Sequence, residues 1–102
     1  MLFRSVPIKL KFRLKDFDTY TVRDKNWNSL KNGVLLNKAI NDDIDVFITT
    51  DKNLQYQQSI SNLNISHIVL NVVLLKWSYI EPLIPQILKT IPTTNKGKVY
   101  II

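Results

Sequence analysis

The sequence predicts an α/β fold: a three-layer sandwich in which helices cover both faces of a small, mostly parallel sheet. Three observations carry this. Short β-branched apolar runs, DVFIT at 45–49 and SHIVL at 66–70, have the unbroken hydrophobicity of strands buried on both faces. Segments with near-helical apolar spacing alternate with such runs, and that alternation requires parallel strands joined by right-handed crossovers. Finally, an apolar content of 45% and a mean hydropathy of −0.04 are globular values, and 102 residues can bury one core but not two. A single domain over residues 1–102 is expected.

The elements follow in order. Ile8, Leu10, Phe12 and Leu14 alternate with Lys9, Lys11, Arg13 and Lys15, the period of a strand with one exposed face. On a helical wheel the same four apolar residues split into two groups, although Pro7 would suit a first helical turn. Local pattern favours a strand here. DTYTV at 18–22 is rich in β-formers and reads as a strand, followed by a polar turn from Asn26 to Asn32 that contains Trp27. From Gly33 the run GVLLNKAIND reads as a helix that Asn32 or Ser29 could cap. Residues 45–49 form the next strand, 52–60 a helix around Leu54, and 66–70 another strand. Trp77, Ile80, Ile84, Ile87, Leu88 and Ile91 lie close to a 3.6 period, so 77–91 reads as a helix that Pro82 and Pro85 delay or bend. KVYII at 98–102 closes the chain as a strand.

Composition removes whole classes of chemistry. No cysteine means no disulfide framework and no thiolate nucleophile, and the single His67 leaves no His-rich metal site. His67 itself falls in a strand expected to be buried, where a hydrogen-bonded core histidine is the natural reading. Fourteen Lys and Arg against eight Asp and Glu give a net charge of +6 and a pI near 9.7, which favours a polyanionic partner. The longest apolar stretch, 68–75, is broken by Asn71 and too short to span a bilayer, so a cytoplasmic protein with no membrane partner is expected.

In parallel sheets ligands bind beyond the carboxyl ends of the strands, and this sorts the acids. Asp16, Asp18, Asp42, Asp43 and Asp45 precede or begin strands and fall at the amino edge. Asp24 and Asp51 follow strands and fall at the carboxyl edge, where two carboxylates could hold Mg²⁺ or Mn²⁺ and where Arg23, Lys25, Lys31 and Lys52 could meet phosphate oxygens. The plainer alternative is that Asp51 is an N-cap and Asp24 forms a salt bridge or a turn hydrogen bond. Trp27 could stack on a base or pack over the sheet edge, and the Lys9–Lys15 alternation could track a phosphate backbone or be a solvated face.

The stretches TVRD (21–24), Trp27, LKNGVLL (30–36) and ITTDKNLQYQQ (48–58), with Val6–Pro7 near the start and Lys76–Trp77 later, resemble small PIN-like domains encoded beside antitoxin genes and related to the VapC toxins. The resemblance implies a PIN-like sandwich with a four- or five-stranded parallel sheet, and a first helix in place of the strand read at residues 7–15. It implies a toxin of a toxin–antitoxin pair that uses Mg²⁺ or Mn²⁺ to hydrolyse RNA, with an antitoxin protein as partner. Asp24 and Asp51 would be the catalytic and metal-binding acids. Lys31, Asn32, Lys52, Asn53 and Gln57 would contact RNA. Two expected acids are missing, since Arg4 and Val34 stand in their places. A module that binds RNA or an antitoxin without cutting is therefore the alternative. The apolar stretch Val72 to Leu75 could serve a homodimer.

Overall fold

The computed structural model describes residues 1–57 and 59–102, with the side chains of Gln55, Gln57 and Ile60 outside that description. Five short strands, β1 (Leu2–Arg4), β2 (Tyr20–Thr21), β3 (Val46–Thr49), β4 (Ser66–Val69) and β5 (Val99–Ile101), form one sheet in the order β2-β1-β3-β4-β5. Every pairing is parallel, with Phe3 opposite Thr21 and Ile48, Ile48 opposite Ile68, and Ile68 opposite Tyr100. β3 and β4 are buried along their whole length, as continuous apolar runs require.

Residues 9–13 form a helix, α1 (Lys9–Arg13), and not the strand that alternation suggested. The reason is tertiary. β1 and β2 are parallel neighbours, so the chain between them must recross a sheet face, and a helix does this while satisfying its own amides. The two wheel faces then separate cleanly: Leu10 and Leu14 are fully buried while Ile8 and Phe12 remain 60% exposed. Burial of the two leucines contributes roughly 1.5–3 kcal/mol each.

The longest helix, α2 (Asn32–Asn41), buries Leu35, Leu36 and Ala39. Its N-cap is Lys31, with no side-chain cap, so the capping role expected of Asn32 or Ser29 is not filled. It ends where Asp43 adopts φ 59° and the Ile44 amide bonds the Ala39 carbonyl. α3 (Leu54–Gln57) is shorter than the 52–60 expected and is followed by a 3₁₀ turn at Ile60–Asn62. The 77–91 segment divides at its prolines into α4 (Trp77–Ile80), a 3₁₀ turn (Glu81–Leu83), α5 (Ile84–Thr90) and a final 3₁₀ turn (Ile91–Thr93). Pro82 and Pro85 each sit at the start of a segment, where a missing N–H costs least.

Two cores flank the sheet. On one face Leu10 and Leu14 of α1 meet Ile80, Ile84 and Ile87 of α4 and α5 over Phe3, Ile48 and Ile68. On the other, Leu35, Leu36 and Ala39 of α2 and Leu54 of α3 cover Leu2 and Phe47. This arrangement determines the hand of the connections. β1 to β2 steps one way across the sheet on the first face, and β2 to β3 and β3 to β4 step the other way on the second face. Those three share one hand. β4 to β5 continues in the same direction but on the first face, so it has the opposite hand. Right-handed connections are almost universal, which makes the last one the exception to the right-handed crossovers expected from sequence.

Candidate functional site

The strand order reverses between β1 and β3, and in such sheets the crevice beyond the carboxyl ends at that point is the usual ligand position. Arg4 ends β1 there. Its Nη1 donates to the Leu30 carbonyl at 2.9 Å and to Asn32 Oδ1 at 3.2 Å, tying the strand end to the start of α2. Ser5 follows with φ 58°, and its carbonyl accepts from Thr50 Oγ1 at 2.6 Å.

Asp24 and Asp51 lie beyond the strands on either side of β1. Asp24 Oδ2 accepts from Lys11 Nζ at 2.8 Å and from the Thr21 amide at 2.9 Å, while its own amide donates to Thr21 Oγ1 at 3.0 Å. The Lys11 hydrogen bond, then the Thr21 amide, lower its pKa from 3.8 to about 2. Asp51 Oδ1 accepts from the Asn53 amide at 3.0 Å, and its amide donates to Thr49 Oγ1 at 3.1 Å. Asp24 thus makes the salt-bridge and turn contacts of the plainer alternative, whereas Asp51 makes a turn hydrogen bond ahead of α3, which begins at Leu54, and is not its N-cap. Strands β2 and β3 are separated by β1, roughly 9.5 Å between their axes, and Arg4 occupies the interval. Among the described residues no three His, Asp or Glu side chains are grouped to hold a metal ion. Two separated carboxylates with a guanidinium between them are a thin donor set for Mg²⁺ or Mn²⁺.

Lys31 is exposed and Asn32 half-buried beside Arg4, while Lys52 and Asn53 are exposed in the turn after β3. The Gln57 side chain lies outside the described residues. Lys25, expected at this edge, reaches the opposite one: its Nζ pairs with Asp42 at 2.6 Å and lies 4.3 Å from the centre of the Tyr20 ring. Trp27 is half-buried and packs against the α2-side core, the packing role of its two readings.

Three residues escaped the sequence reading as site members. Arg4 stood out only as a missing acid. Tyr56 and Asn71 line a groove of about 200 Å³ with Lys52, Asn53, Val69 and Ile101. Asn71 had a signal, because it interrupts an apolar run immediately after a strand and so lies at the carboxyl edge. His67 is fully buried as expected, but it is not hydrogen-bonded: neither ring nitrogen has a partner among the described residues. Its ring meets Phe47 edge-on at 5.5 Å, and burial lowers its pKa to about 4.

No family model matches the chain, and neither a curated protein nor a solved structure matches it. The fold is an α/β sandwich around a five-stranded all-parallel sheet. No helix among the described residues is long and apolar enough to cross a membrane.

Proposed function

We propose that this chain is a PIN-like module that binds RNA at the carboxyl edge of its sheet, descended from metal-dependent toxin ribonucleases but with a depleted acidic site. One observation carries the reading. The end of interior strand β1, flanked by β2 and β3 with Asp24 and Asp51 beyond their ends, presents the Arg4 guanidinium where a metal centre would need a carboxylate. A cation there favours phosphate oxygens over a divalent ion. Lys31 and Lys52 extend the positive charge to either side, Asn32 orients Arg4, and Asn53 offers a neutral donor to ribose or phosphate.

A divalent ion held weakly by Asp24 and Asp51 would supply an activated water for phosphodiester hydrolysis. The protein's own contribution is to hold the phosphates. An antitoxin partner, or a second copy of the chain, would cover the Val73, Leu74 and Leu75 side chains, which are 86%, 47% and 55% exposed, while Val72 packs against the core.

The test is fluorescence anisotropy with a labelled single-stranded RNA at several salt concentrations, run beside a cleavage assay in Mn²⁺. Wild type should bind without cutting. Arg4→Ala should weaken binding and flatten the salt dependence by about one unit of slope. RNA products that vanish on Asp51→Ala would replace this reading with the ribonuclease one, and absence of RNA binding would defeat both.

A further inference from the structure

The exceptional hand of the last connection leaves part of the sheet uncovered. Because α4 and α5 pack on the α1 face, the opposite face of β4 and β5 receives no helix from its own connection. Near the amino ends the chain around Ser61 and Leu63 closes over it. Gly97, at φ 83°, lies there so tightly that a Cβ would sit 3.1 Å from the Ser61 carbonyl oxygen. Near the carboxyl ends the groove of about 200 Å³ opens between α3 and the ends of β4 and β5.

The lining is specific in kind. Val69 is buried at 1% exposure, and apolar side chains are left in water on the two walls, Tyr56 at 81% and Ile101 at 59%. The polar groups are the side-chain amides of Asn53 and Asn71 together with Lys52. The Asn71 amide group has no hydrogen-bond partner among the described residues, although its backbone is fixed: its N–H donates to the Ile102 carbonyl at 2.8 Å, and the Ile102 N–H donates to the Val69 carbonyl at 2.9 Å. The groove is thus a rigid floor with an aromatic wall, an aliphatic wall and unused amides. It is smaller than the roughly 300–1,000 Å³ of typical cofactor and drug-sized sites. A flat ring with apolar faces and a polar edge matches it, and a +6 chain with Lys52 in the lining favours a ring that carries phosphate.

We infer that this groove is a subsite for one unstacked base of single-stranded RNA, held between the Tyr56 ring and Ile101, with the amides of Asn53 and Asn71 reading the base edge. The inference rests on the RNA-binding reading above and adds a base contact to its phosphate contacts. Arg4 and the groove lie at the same sheet edge, two to three strand spacings apart, or roughly 10–15 Å, a distance that a few nucleotides span.

The experiment compares a labelled single-stranded RNA decamer with an abasic ribose-phosphate decamer, against wild type, Tyr56→Ala, Tyr56→Phe and Asn71→Ala. Tyr56 is exposed, so these variants should fold. Wild type should prefer the RNA, Tyr56→Ala should lose about tenfold in RNA affinity with abasic binding unchanged, and Tyr56→Phe should recover most of the loss. Asn71→Ala should alter the ranking of homopolymeric decamers. Equal RNA binding by Tyr56→Ala and wild type, or equal binding of RNA and abasic chains by wild type, would overturn the subsite and leave phosphate binding standing. Binding of neither chain would overturn the RNA reading beneath it.

Discussion

The two edges of the sheet differ in charge, in openness and in what their polar groups are doing. At the amino edge Asp18, Asp42, Asp43 and Asp45 line the larger cleft, about 770 Å³, and two of them are paired, Asp42 with Lys25 at 2.6 Å and Asp45 with Lys96 at 3.3 Å. At the carboxyl edge Arg4, Lys31 and Lys52 surround two acids already engaged in turns and a salt bridge. The amino edge has more acids and more room, but its charge balance differs. Asp42 and Asp43 sit at the C-terminal end of α2, where the helix dipole opposes negative charge, and the lysines offset that cost. The uncapped start of α2 faces the other way and adds positive potential beside Arg4. Cavity size and acid count point to the amino edge and strand direction to the carboxyl edge, and the proposed function rests on the latter.

The largest expected effect lies between the edges, in strand β4, on which both depend. His67 has a folded pKa of about 4 against its usual 6.5, so the stability contributed by its neutral ring is complete above pH 6.5 and is lost as pH falls through 4. The loss by pH 4.5 should be on the order of 2–3 kcal/mol. Urea unfolding at pH 7.5 and 4.5 checks this, and a His67→Leu variant should show little loss in that window. An equal loss in the variant would assign the acid sensitivity to other groups.

Reversing the charge at the carboxyl edge tests the comparison directly. Arg4→Asp combined with Val34→Glu should lower RNA affinity tenfold or more and produce measurable Mn²⁺ binding by calorimetry. If metal binding does not change, the acidic centre has been placed wrongly. A smaller effect concerns Lys11. Lys11→Ala removes the largest influence on Asp24, and the carboxyl pKa followed by NMR should move up from about 2 towards 3.8. Asp24 then keeps less of the stability that it contributes above pH 3.8 and loses as pH falls through its folded pKa. The smallest belongs to the amino edge: Lys96→Ala breaks an exposed pair with Asp45 and should cost less than about 1 kcal/mol with RNA affinity unchanged. A clear drop in RNA affinity there would mean that the binding surface includes the amino edge.

Much was legible in local pattern. The buried strands at 46–49 and 66–69 came within a residue or so of their expected limits, because apolar β-branched runs of that length have few other uses. The sorting of acids into two edges depended only on which side of each strand they follow. The helix at 9–13 was illegible locally, since Ile8, Leu10, Phe12 and Leu14 satisfy a strand period better than a helical one. Of the groove's lining, Lys52 and Asn53 were expected as site residues and Asn71 had a signal, whereas nothing local marked Tyr56 and Ile101.

By itself, the sequence determined the α/β class, the composition of the core, the absence of cysteine and most histidine chemistry, and the two acids at the carboxyl edge. These depend on residue type and near neighbours. Tertiary structure decided, against local pattern, that residues 9–13 recross the sheet as a helix, and it alone decided that Lys25 turns to the amino edge, that the His67 ring nitrogens have no partner among the described residues, and that the last connection takes the opposite hand. Each depends on strand order and on which face a helix covers, which are relations between segments distant in the chain. The groove beside Tyr56 and Ile101 is the clearest consequence: its walls come from segments 45 residues apart, and it is open because α4 and α5 cover the other face of the sheet.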